Sequence, residues 1–171
     1  MTKTIFAIHT FTMNADRVED RIRLDAVDPA GATQTIWITR RIANRCVPHL
    51  GKQAATRASG NGEHNVALTM TQQRLRLDRN ANPTPPVHVQ TDAPQWLCQT
   101  MHFPETPQGI IWIMTDNAEQ DARMHLNEKT LRAVLDVFLT SYRALEWDVS
   151  PFPDWVVEAA APAALRPEHL N

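Results

Sequence analysis

The chain has 171 residues, 43% hydrophobic and 21% charged, with a formal net charge of −2. That is ordinary composition for one globular domain, long enough to bury roughly 70% of the surface its unfolded form exposes and too nearly neutral for a general nucleic-acid coat. No apolar run approaches the 18 or so residues of a membrane span, no secretory pattern opens the chain, and two cysteines make no disulfide framework, so a cytoplasmic protein with reduced Cys46 and Cys98 is expected.

Period-two alternation predicts a first strand in KTIFAIHTFTM (residues 3–13) and a second in RVEDRIRLDAV (17–27), where Ile22, Leu24 and Ala26 share a face. After the turn Asp28-Pro29-Ala30-Gly31, a third follows in TQTIWIT (33–39), with Gln34, Ile36 and Ile38 on one side. Thr39 then stands as the N-cap of a helix over RRIANRCVPHL (40–50). Three of the five glycines fall in GKQAATRASGNG (51–62), the composition of a flexible linker. The next stretch, 63–79, fits two patterns: Val66, Met70, Gln73 and Leu77 lie on one helical face, while Val66, Leu68 and Met70 alternate like a strand. Its Gln, Arg, Leu and Met, with no Gly or Pro, favour a helix. ANPTPPVHVQTDAP (81–94) has four prolines and predicts an extended connector.

The order then recurs over residues 94–145. Strands are expected in QWLCQTMHF, GIIWIM and ARMHL, separated by PETPQ and TDNAEQ, and Asn127 caps a helix over EKTLRAVLDVFLTSYRAL. Leu131, Val134, Leu135, Phe138, Leu139, Tyr142 and Leu145 give that helix one broad apolar stripe. The expected fold is therefore a single α+β domain over 1–146, built of two units of three strands and a helix (3–50 and 94–145) with an inserted helix between them. Its strands form an antiparallel sheet, sandwich or half-barrel on which the helices pack. The recurrence is one of pattern, without shared residue identity, and suggests an internal pseudo-repeat. This element order, from residue 3 to 145, resembles the head domains of the end-joining scaffold proteins and of the centriolar cartwheel protein. Those are small β-sandwiches with inserted helices followed by a long dimerising helix. The resemblance implies a possible homodimer; it rests on no sequence motif and carries no functional residue, and no coiled coil follows Leu145.

Catalytic signatures are missing. There is no G-x-S-x-G elbow, Walker A loop, G-x-G-x-x-G or H-E-x-x-H motif, and the three serines (59, 141 and 150) fall in a linker, a helix and a tail. Cys46 with His49, and Cys98 with His102, have the look of metal half-sites. On a strand, however, four residues span about 13 Å, too far to share one zinc ion, and Pro48 interrupts the other pair, so neither a metal nor another cofactor is expected. Asp25, Asp28, Asp116, Glu119 and Asp121 flank hairpin turns and read as turn chemistry. Arg40, Arg41 and Arg45 on the first helix and Arg74, Arg76 and Arg79 in the inserted segment would make a phosphate-reading patch if adjacent, although nucleic acid is not the expected partner. A small-ligand site between the two units would lie around Trp37, His102, Trp112 and His125.

The 147–171 tail is broken by four prolines and carries Trp147, Phe152 and Trp155, which either fold back on the core or dock on a partner. Charge is polarised as well. Residues 1–85 hold 12 basic and 7 acidic side chains, and residues 86–171 hold 5 and 12. These features point to a non-catalytic protein-binding or assembly module, self-associating or part of a complex, with a ligand-binding protein or enzyme as the second reading and nucleic-acid binding through the arginines as the third.

Overall fold

The computed structural model describes residues 3–58 and 65–161. Nine strands and four helices form over these residues. The first unit contains β1 (Ile5–Ala7), β2 (Thr10–Asp16), β3 (Arg21–Val27), β4 (Thr33–Thr39) and α1 (Arg40–Arg57). The inserted helix is α2 (Asn65–Ala81). The second unit contains β5 (Gln95–Leu97), β6 (Thr100–His102), β7 (Glu105–Thr106), β8 (Gly109–Thr115), β9 (Asp121–Leu126) and α3 (Glu128–Ala144), and a short α4 (Asp154–Ala159) follows.

Two sheets result, and each borrows a strand from the other unit. One has the order β1-β9-β8-β6, with β7 also on β8; the other runs β2-β3-β4-β5. β1 pairs in parallel with β9 and β5 in parallel with β4, whereas every other pairing is antiparallel. Both single strands expected from the sequence, 3–13 and 95–103, are therefore divided. The chain leaves one sheet and enters the other at Ile8-His9, where His9 N donates to Val27 O, and at Cys98-Gln99, where Gln99 N donates to Thr115 O.

Alternation places the predicted apolar rows inward. Phe6, Ile110, Trp112, Met114, Ala122 and Leu126 from one sheet face Ile22, Leu24, Ala26, Ile36, Ile38 and Trp96 from the other, all buried. The two long helices close the open sides: α1 packs on β4 and β6, α3 on β2 and β9, and the two helices on each other. Matching turns join the last two strands of each unit. Asp28 Oδ1 accepts from Ala30 N and Ala32 N, and Asp116 Oδ1 accepts from Ala118 N and Gln120 N. The N-caps read from the sequence form as expected, Thr39 Oγ1 accepting from Ile42 N and Asn127 Oδ1 from Thr130 N.

Several expectations need correction. α1 continues through Gly51 to Arg57, so residues 51–57 are helix rather than linker, while 59–62, with Ser59, lie outside the described residues. The 63–79 stretch, by contrast, is helical from Asn65, as its composition favoured. Asp25 lies in the middle of β3, 6% exposed, accepting from Arg23 Nε at 2.9 Å and Thr35 Oγ1 at 2.7 Å. It is covered because the proline-rich connector crosses the outer face of that sheet, donating from Val87 N to Thr12 Oγ1 and from Gln90 N to Thr33 Oγ1. α3 is no projecting dimerisation stalk, since Leu131, Leu135, Phe138, Leu139 and Tyr142 are all fully buried within the chain's own core.

Candidate functional site

The surface with the most unexplained features surrounds α2. Its inner side is held to α3 by polar contacts instead of a continuous apolar stripe. Asp136, 3% exposed, accepts from Arg76 Nη1 at 2.7 Å and also from Arg79 Nη1, and Gln72 Nε2 donates to Arg132 O at 2.9 Å. Leu75 adds one buried apolar contact, and α4 packs on the same helix. These contacts occupy one face only. On another face Val66, Met70 and Leu77 are 69, 63 and 61% exposed, at the spacing of 4 and 7 that aligns side chains along a helix.

Two grooves flank this helix. The larger, about 700 Å³, lies between the units, with Phe11 and Met13 of β2 on one wall, Met124, Val134 and Val137 on the other, and Asn80 and Pro83 at its rim. The smaller, about 500 Å³, runs between α2 and the first turn of α3 and includes Arg74, Asp78, Glu128, Lys129 and Arg132 in its lining. Arg132 is unusual in being 2% exposed, so burial pulls its pKa below the usual guanidinium value while the Glu128 carboxylate acts against that shift.

The residues singled out from the sequence are dispersed. Trp112 is fully buried in the core, edge-on to Phe11 at 5.9 Å. Trp37 lies on β4 with the Arg23 guanidinium 5.9 Å above its ring. His102 and His125 are exposed on β6 and β9, on the outer face of the opposite sheet. None of these four lines either groove. The arginine patch is also divided. Arg40, Arg41 and Arg45 are exposed on α1, which packs on β4, β6 and α3, whereas Arg76 and Arg79 are committed to Asp136; Arg74 opens onto the smaller groove and Arg79 onto the larger.

The aromatic tail is core. Trp147, Phe152 and Trp155 are 5, 5 and 3% exposed; Tyr142 meets Trp147 and Phe152 edge-on at 5.1 and 4.9 Å, and Trp147 Nε1 donates to Asp20 Oδ1 at 2.7 Å. These three residues are therefore not free to bind a partner as the sequence suggested, because three large aromatics find apolar surface on the folded core, chiefly on α3, that water does not offer them; residues 162–171 lie outside the description. Cys46 and Cys98 are buried free thiols whose pKa values desolvation pushes up to about 12 and about 11, which leaves them poor nucleophiles. Among the described residues no three His, Cys, Asp or Glu side chains gather as metal ligands, and no helix is long and apolar enough to cross a membrane.

Sequence reasoning missed Arg132 and both grooves. Arg132 sits next to Leu131 in the apolar stripe of α3, at the edge of the buried arc, which was the available signal. Compared with protein-family models, curated proteins and solved structures, the chain matches none.

Proposed function

We propose that this chain is a non-catalytic protein-binding or assembly module and that α2 is the element it presents. The supporting observation is the exposed line of Val66, Met70 and Leu77 on a helix anchored from its other side by the Asp136 clamp. Leaving three large apolar side chains in water along one line is unfavourable, and covering each fully would return about 1.5–3 kcal/mol. Three side chains offer far less area than the roughly 800 Å² per partner of a stable interface, so contact through them alone is transient and a lasting complex recruits neighbouring surface. A second copy is the first occupant to test. Light scattering across a concentration series, beside a pull-down from cell extract, reads both self-association and a heterologous partner. Val66→Glu with Leu77→Glu should abolish either without moving the denaturation midpoint. Undiminished association of that variant would sink the proposal.

The larger groove supports a second reading, a small apolar ligand held between the units by Phe11, Met13, Met124 and Val134. A thermal-shift screen discriminates, because a ligand that binds only the folded state raises its midpoint. Buried reduced thiols at Cys46 and Cys98 support a cytoplasmic setting. The reciprocal exchange of β1 and β5, with matching Asx turns at Asp28 and Asp116, supports an origin of the two units by duplication.

A further inference from the structure

The groove between α2 and α3 holds a buried charge whose hydrogen-bonding capacity is not filled. Arg132 is 2% exposed, and among the described residues neither its Nε nor its Nη1 has an acceptor. One face of the guanidinium stacks on Trp155, 5.2 Å from the ring centroid. Glu128 Oε1 stands 3.5 Å from Nε, within ion-pair range but outside hydrogen-bonding geometry, and its side chain is 45% exposed. Both nitrogens, Nε and Nη1, are closed off from solvent, so the desolvation cost of this guanidinium would be relieved by an acceptor that enters as the exposed Glu128 side chain swings aside.

Two further features favour an anion at the same place. Asn127 caps α3 by accepting from Thr130 N, so the N–H groups of Glu128 and Lys129 have no partner within the helix, at the end where the helix dipole is positive. The groove is lined by three cations, Arg74, Lys129 and Arg132, against two carboxylates, Asp78 and Glu128. We infer that this groove binds a small oxyanion, a carboxylate or phosphate carried on a molecule that fits about 500 Å³, with Arg132 as its buried donor and Arg74 and Lys129 as cations at its rim. The site adjoins the apolar line of α2 without sharing its residues: Leu75 and Asp78 lie on a different helical face from Val66, Met70 and Leu77, and Arg74, four residues after Met70, stands at the boundary between them.

The test titrates the full chain with inorganic phosphate and, separately, with succinate, against sodium chloride of matched ionic strength. The thermal midpoint and backbone amide NMR shifts are read together. At a probe concentration ten times Kd the midpoint should rise by about 3 to 6 °C over the chloride control, with shifts concentrated in residues 71–78 and 127–132. A response to phosphate alone identifies a phosphoryl ligand, to succinate alone a carboxylate, and to both an oxyanion pocket selective only for charge and size. Arg74→Gln with Lys129→Gln, both at exposed positions, should bind at least tenfold more weakly while melting normally in chloride. Arg132→Gln should abolish binding if it folds. No response beyond chloride, or equal affinity in the Arg74/Lys129 variant, overturns the assignment.

Discussion

Replacing Phe152 with alanine tests whether residues 147–161 are part of the folded domain. The ring is 5% exposed and meets Tyr142 edge-on at 4.9 Å, while the adjoining Pro153 ring lies against α1, its Cγ 2.5 Å from where a Cβ on Gly51 would stand. Burying a phenylalanine is worth about 1.5–3 kcal/mol in transfer free energy, the aromatic pairing adds about 0.5–1.5, and the cavity left between two helices adds its own cost. Together these give a loss of about 3–5 kcal/mol for Phe152→Ala, within the usual range for a buried ring. With a urea slope of about 2 kcal/mol/M, the unfolding midpoint should fall by about 2 M, readable by circular dichroism and tryptophan fluorescence. An unchanged midpoint with unchanged slope would refute the packing of the tail and return Phe152 to the surface, where a docking role would again need testing.

Three other outcomes follow from particular contacts. Gly109→Ala places a Cβ 1.9 Å from the carbonyl oxygen of Leu126, which the β8–β9 pairing cannot absorb, so a loss of about 3 kcal/mol or more, or failure to fold, is expected in chemical denaturation; near-native stability would contradict the observed register. Asp136→Ala leaves Arg76 and Arg79 facing a gap and should destabilise by about 1–3 kcal/mol, less than a fully buried pair would lose because both arginines reach water; amide exchange in α2 should rise first, and uniform exchange across the protein would argue against a local clamp. At alkaline pH, Cys46 and Cys98 hold their protons in the folded state up to about 12 and about 11 but release them near 9 when unfolded. Stability contributed by the buried thiols is thus present below pH 9 and lost as pH rises towards 11–12; Tyr142, also raised by burial, acts in the same direction. A Cys46→Ala, Cys98→Ala variant should show a shallower decline, and an identical profile would exclude the thiols as its source.

The charge polarity of the chain finds a partly internal explanation. Arg76 and Arg79 from the basic half meet Asp136 from the acidic half, and Trp147 of the second half hydrogen-bonds Asp20 of the first. Some of the imbalance that suggested a docking face is thereby used in joining the halves, which shifts the argument for association from charge to the apolar line on α2.

Local chemistry determined the elements. Alternation at Ile22, Leu24 and Ala26, the caps at Thr39 and Asn127, the turns at Asp28 and Asp116 and the apolar stripe from Leu131 to Leu145 each depend on side chains within a few residues of one another, so they can be read along the chain. The exchange of β1 and β5 between sheets could not be, because a strand crossing at Ile8 or Cys98 keeps its alternation and only its hydrogen-bond partners change. Tertiary packing likewise decided what covers an exposed-looking group. Asp25 is buried by a connector whose hydrogen bonds to the sheet span 57 and 75 residues of chain, and Trp147, Phe152 and Trp155 by helices that the tail meets only after folding. Arg132 stands out because α2 and Trp155 enclose it, and burial, the property that makes a guanidinium with unfilled donors informative, is set by neighbours distant in sequence.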